Sequence, residues 1–115
     1  MLIRPLTPGF AVTGQITPED VAEIAAKGFA AIVCNRPDGE AEDQPSAAQI
    51  AEAAAANGLT FSFIPVTPGV FTDEQARELS AFLGGVDGRV LAYCRSGARS
   101  GSLWEHARDI ASATD

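Results

Sequence analysis

The residues that build metal centres and disulfide frameworks are scarce: two cysteines, Cys34 and Cys94, and one histidine, His106, in 115 residues. Two isolated thiols do not make the bridged framework of a small secreted domain, so reduced cysteines and a cytoplasmic location are expected. His106 lies in a helical stretch with no cysteine or carboxylate at ligand spacing, so no metal site is expected, and no other pattern requires a cofactor. Positive charge is also short, eight Lys and Arg against fifteen Asp and Glu, for a formal net charge of −7. Such a field repels phosphate backbones and anionic bilayer surfaces, which argues against a nucleic-acid or membrane partner. No apolar run approaches membrane-spanning length. The first ten residues, with Arg4, Pro5 and Pro8, also lack the apolar run and cleavage site of a secretory leader.

What is present fits one domain over residues 1–115, with 46% hydrophobic residues and no repeat or linker. Short apolar runs alternate with helical segments. Phe29 to Cys34 and Arg89 to Cys94 read as buried strands, Thr60 to Val66 as an edge strand or one ending at Pro65, and Gly9 to Thr13 as an N-terminal strand. Helix starts are marked by Thr17-Pro18-Glu19-Asp20 and by two capping boxes, Ser46 to Gln49 and Thr72 to Gln75. Helix ends are marked by Gly28, Asn57-Gly58 and Gly84-Gly85, and a last helix is expected from Ser100 to Ala113. The alternation predicts an α/β fold, a mostly parallel central sheet of four to five strands flanked by helices. Two loops leave carboxyl ends of buried strands, where such sheets place ligands: the long stretch Asn35 to Pro45, and Cys94-Arg95-Ser96-Gly97-Ala98-Arg99-Ser100.

With the summed field repelling anions, an anionic small substrate has to be drawn in by a few placed arginines and backbone amides. The Cys94 loop offers both. A thiol is a nucleophile as its thiolate, which a helix N-terminus, a nearby arginine or a ring of amides favours. Gly97 lets the Arg95, Ser96, Gly97, Ala98, Arg99 and Ser100 amides curl into an anion-binding nest. Arg99 offers a planar fork to sulfate-like or phosphate-like oxygens, and Ser100 is placed to cap the next helix or to bond the sulfur. Arg36 can reach an anion from the neighbouring strand end, against the ordinary solvated state of an arginine. Cys34, within an apolar run, reads as core packing rather than as a resolving thiol, and Trp104 as core or pocket wall. Glu40, Glu42 and Asp43 read as a solvated loop.

Together Gly14-Gln15-Ile16, Asn35-Arg36-Pro37-Asp38-Gly39-Glu40, Ile64-Pro65-Val66 and Tyr93-Cys94-Arg95-Ser96-Gly97-Ala98-Arg99-Ser100 resemble the bacterial beta-lactamase-hydrolase-like, phosphatase-like domain family. The resemblance implies a protein-tyrosine/dual-specificity-phosphatase-like fold. It implies an activity of one of two kinds, since members are labelled both phosphatases and sulfur transferases. It also implies a partner for some members, a metallo-beta-lactamase-fold domain resembling persulfide dioxygenases.

Tyrosine phosphatases carry His-Cys, five residues, then Arg; here Tyr93 stands before the cysteine, four residues separate Cys94 from Arg99, and position 100 is serine. Cys94 to Arg99 also resembles the thiosulfate-using rhodanese loop Cys-Arg-x-Gly-x-Arg, in which the thiolate becomes a persulfide. Phosphate-ester hydrolysis needs an acid for its leaving group, and the loop where phosphatases keep that aspartate reads Thr67-Pro68-Gly69. Asp38 is the substitute acid, against simple turn chemistry, while Asp73 reads as a helix cap. The leading expectation is sulfane-sulfur transfer through a Cys94 persulfide, with Arg99 in the cradle and thiosulfate or a persulfide as substrate. The alternative is phosphomonoester hydrolysis through a Cys94 phosphocysteine with Asp38 as acid. A non-catalytic anion-sensing module is the third.

Overall fold

The computed structural model describes residues 1–113. The helix starts form as their side chains dictate. Ser46 and Thr72 each accept from the amide three residues on, while Gln49 and Gln75 reach back to the cap amides, opening α2 (Ala47–Ala56) and α3 (Asp73–Gly84). Ahead of α1 (Asp20–Ala26), Thr17 and Asp20 bond reciprocally, the Thr17 amide to Asp20 Oδ2 at 2.9 Å and the Asp20 amide to Thr17 Oγ1 at 3.3 Å. Gly28 and Gly58 end α1 and α2 at φ of +91° and +74°, where a side chain would be strained.

Between the helices lie β2 (Phe10–Thr13), β3 (Phe29–Cys34), β4 (Thr60–Phe63) and β5 (Arg89–Tyr93), all parallel. A fifth strand, β1 (Arg4–Thr7), pairs antiparallel with β2. Pro5 hides this strand from a reading of the sequence, since proline breaks the strand pattern; at the sheet edge its missing donor costs little. The order is β1-β2-β5-β3-β4, so β5, which delivers Cys94, is the central strand. The edge position expected from Pro65 holds for β4. Its regular ladder stops at Phe63, but the Ile64 and Val66 amides still reach the Cys34 and Asn35 carbonyls at 2.9 Å each.

Strand alternation splits the core between the two sheet faces. Val90 and Ala92 of β5, with Ala31 and Val33, pack against Ala76 and Leu79 of α3 and against Leu103, Trp104 and Ala107 of α4 (Ala98–Ala113). Leu91 and Tyr93, with Ile32 and Cys34, pack against Val21 and Ile24 of α1 and Ile50 and Ala54 of α2. Cys34 is thus core, as its apolar run implied, and Trp104 stacks on Phe10 with ring centroids 5.4 Å apart. α4 begins at Ala98, two residues before the expected start, which puts Arg99 and Ser100 in its first turn.

Candidate active site

β2 and β3 flank β5, so the turns after Thr13, Cys34 and Tyr93 meet at one sheet edge. They are stitched together there. The Cys94 amide donates to the Thr13 carbonyl at 3.4 Å, the Gln15 amide to the Arg95 carbonyl at 3.3 Å, and the Asn35 amide to the Tyr93 carbonyl at 2.8 Å. Two glycines permit the approach. A Cβ on Gly14 would stand 3.0 Å from the Arg95 oxygen, and Gly97 lies at φ +95° with Thr13 backbone atoms 3.4 Å from where its Cβ would be.

Cys94 is wholly buried, and the turn's amides face it. The Gly97 amide donates to Cys94 Sγ at 3.1 Å. Burial works against the thiolate. The Ser100, Ser96 and Gly97 amides and the Ser100 hydroxyl outweigh it, holding the thiol below its ordinary pKa. Ser100 does not cap the helix, which has already begun; its fully buried hydroxyl lies near enough to help lower the Cys94 thiol but makes no hydrogen bond of its own. The Ala98 amide, by contrast, turns to Ser96 Oγ at 3.3 Å. Cys34 behaves oppositely: burial pushes its thiol up, and Sγ donates to the Arg36 carbonyl at 3.3 Å.

The arginines meet Glu40, a carboxylate expected in solvent. Glu40 Oε2 accepts from Arg99 Nη1 at 2.8 Å, and Oε1 accepts from Arg99 Nη2 at 2.8 Å and from Arg36 Nε at 2.9 Å. Its side chain is only 23% exposed. Arg36 is itself buried and donates through Nη1 to Gln15 Oε1 at 3.0 Å, so it reaches Glu40 and Gln15 rather than solvent. Arg99 Nη1 also donates to the Val66 carbonyl at 2.9 Å, which fixes the guanidinium over the strand end. Arg36, Glu40, Ala41, Pro68, Arg95 and Arg99 line an open cleft of about 390 Å³. The Arg95 side chain is exposed there.

Two residues weighed as acids have other partners. Asp38 Oδ1 accepts from the Ala47 amide at 2.8 Å, satisfying an orphan donor in the first turn of α2. Asp73 lies in the first turn of α3, where Thr72 is the cap, and pairs with His106 Nε2 at 2.7 Å across the α3–α4 packing. Glu40 and Gln15 are what the sequence concealed. An acid four residues after an arginine announces a pair on a helix, but nothing announces it in a loop.

The ion triad has a consequence in acid. The Arg99 hydrogen bond, with Arg36 adding to it, holds Glu40 down to about 2. A depressed folded-state pKa contributes stability that is complete above the unfolded value, near 4.3, and is lost as pH falls toward 2. Wild type is therefore expected to lose stability over that window by more than Glu40→Gln does, as read from urea midpoints at pH 5, 4 and 3. Parallel curves would contradict it.

A cysteine held toward its thiolate by helix-start amides, at the carboxyl edge of this sheet and beside an arginine in the next turn, defines a cysteine-based member of the phosphatase-like superfamily. The chain belongs to the family described as the Beta-lactamase hydrolase-like protein, phosphatase-like domain, which it matches over residues 2–111. It is 34% identical over 93 residues to the Beta-lactamase hydrolase-like protein of Agrobacterium fabrum, an alignment covering 81% of this chain but 22% of that protein. Among solved structures it is similar to a candidate phosphatase from Neisseria meningitidis, with TM-score 0.83, 37% identity, and 90% and 74% of the two chains covered. Tk-PTP in its active form shares the fold, with TM-score 0.63, 18% identity, and 94% and 81% covered. Among the described residues no helix is long and apolar enough to cross a membrane.

Proposed function

We propose that the protein is a sulfurtransferase that carries sulfane sulfur as a Cys94 persulfide. The observation that carries the reading is the state of the carboxylate at the arginine fork. Glu40 is ionised across the working pH range and Asp38 is an acceptor for the α2 amide, so the site favours chemistry that needs no proton donor. Thiosulfate meets that condition. The Cys94 thiolate attacks the outer sulfur, a new S–S bond forms, the donor S–S bond breaks, and sulfite leaves with the electron pair. An acceptor such as cyanide then takes the outer sulfur as thiocyanate and returns the thiolate. The Ser96, Gly97 and Ser100 amides that favour the thiolate would equally favour the persulfide anion. The two free thiols are in keeping with a cytoplasmic location, and an oxygenase-type partner would consume a persulfide product.

The test is intact-mass spectrometry after incubation with thiosulfate. One added sulfur on Cys94, removed by cyanide with formation of thiocyanate, is the expected result; an unchanged mass with no thiocyanate refutes the reading.

A second reading, phosphomonoester hydrolysis through a Cys94 phosphocysteine, is favoured by the fold and by the Neisseria relative. It needs Asp38 to leave the Ala47 amide and serve as acid. Aryl-phosphate turnover that vanishes in Cys94→Ser and falls in Asp38→Asn would establish it.

A further inference from the structure

We propose that Glu40 is the specificity-determining residue of the site: an internal carboxylate that occupies the arginine fork an oxyanion would use, and so penalises dianions against ligands of lower charge. The inference deepens the function proposed above and rests on it for the identity of the substrate. Its ion-selectivity core needs only that the Cys94 loop binds anions.

The argument starts from donor geometry. A guanidinium offers a planar fork that fits two oxygens of a carboxylate, a sulfate or a phosphate equally well. Glu40 takes Nη1 and Nη2 of Arg99 together, each at 2.8 Å, and Nη1 is also committed to Val66. The same carboxylate takes Nε of Arg36 at 2.9 Å, and Nη1 of Arg36 goes to Gln15. Among the described residues no other side-chain carboxylate bonds either arginine. A tetrahedral anion entering the cleft therefore meets a filled fork.

Charge makes the penalty depend on the ligand. Glu40 offsets one of the two guanidinium charges and a Cys94 held toward its thiolate offsets part of the other, so the exposed Arg95 is the cation of the cleft lining that no carboxylate faces. A dianion has either to displace Glu40, breaking three charge-assisted bonds, or to sit beside it and suffer twice the repulsion of a monoanion. A thiol persulfide carries at most one negative charge on its S–S group, against two on thiosulfate, and attack of the Cys94 thiolate on the outer sulfur of its protonated form expels a thiolate, with no tetrahedral oxyanion to contest the fork. The donor this favours is a thiol persulfide, with thiosulfate a working but less efficient one.

The test reads anion affinity without any turnover. Wild type and Glu40→Gln are titrated with sodium sulfate and, separately, sodium nitrate at constant ionic strength, and protection of Cys94 against iodoacetamide is followed by intact mass. Glu40→Gln is expected to bind sulfate at least about tenfold more tightly, with nitrate changed by less than about threefold. Glu40→Ala, which also removes the hydrogen bonds, should move sulfate the same way. Sulfate affinity that stays constant or falls in both variants would overturn the proposal and make Glu40 a positioning residue for Arg99; equal gains for sulfate and nitrate would overturn it as well. If neither thiosulfate nor a thiol persulfide adds a sulfur to Cys94, the donor conclusion falls with the proposed function, and the ion selectivity stands on its own result.

Discussion

Cys94→Ser is expected to lower transfer of sulfur from thiosulfate to cyanide by on the order of a thousandfold or more, whereas Cys34→Ser should stay within about threefold of wild type. Serine keeps the shape of the loop and can still accept from the Gly97 amide, but its hydroxyl does not ionise in the working range, and an oxygen cannot store sulfane sulfur reversibly. The two thiols make a controlled pair because both are buried, at 0% and 2% exposure, so a difference in their reactivity reports electrostatics and not accessible area. Helix-start amides lower the Cys94 thiol, while burial raises that of Cys34. Iodoacetamide near neutral pH should therefore modify Cys94 first, and the pH profile of that alkylation should lie below that of an ordinary thiol. Equal labelling of the two cysteines would contradict the electrostatic picture. Full transfer activity in Cys94→Ser would remove Cys94 from the chemistry altogether.

The same contrast shows what the sequence could and could not disclose. Strands and helices were legible where local chemistry fixes them: Ser46 with Gln49, Thr72 with Gln75, and the apolar runs that enter β3 and β5. The Cys94 loop was legible because its chemistry is contiguous, sulfur, glycine and arginine lying within six residues. Other features depend on chain segments brought together by the sheet order. Gln15 reaches Arg36 only because the turns after β2 and β3 flank the one after β5, and Glu40 reaches Arg99 across 59 positions. A charged residue in an acidic loop gives no local sign that it folds back onto an arginine, so Glu40 read as a solvated side chain. The start of α4 was missed for a related reason. Ser100 has the chemistry of a cap, but the glycine at 97 with its positive φ already turns the chain, and the helix begins there.

Arg99→Met should reduce transfer from thiosulfate by roughly a hundredfold to a thousandfold, because it removes the positive charge beside the sulfur together with the fork that thiosulfate has to take from Glu40. Methionine preserves the length of the side chain and part of its packing, so the deficit isolates the charge and the fork. Two effects run in the same direction. Arg99 and Cys94 each favour the other's charged form, so without the guanidinium the Cys94 thiol should rise and its alkylation profile should move to higher pH. Glu40 would also lose two of its three arginine contacts, leaving a carboxylate held by Arg36 alone beside a loop that must stabilise an anion. That second effect can be separated. In Arg99→Met/Glu40→Gln the stranded charge is gone, so part of the rise in the Cys94 profile should be recovered even though the fork is still missing. The two substitutions should therefore be non-additive, as expected for groups in direct contact. A profile unmoved by Arg99→Met, or a double variant that merely sums the single effects, would mean that the two residues act on the sulfur independently and that the ion pair between them is only a surface contact.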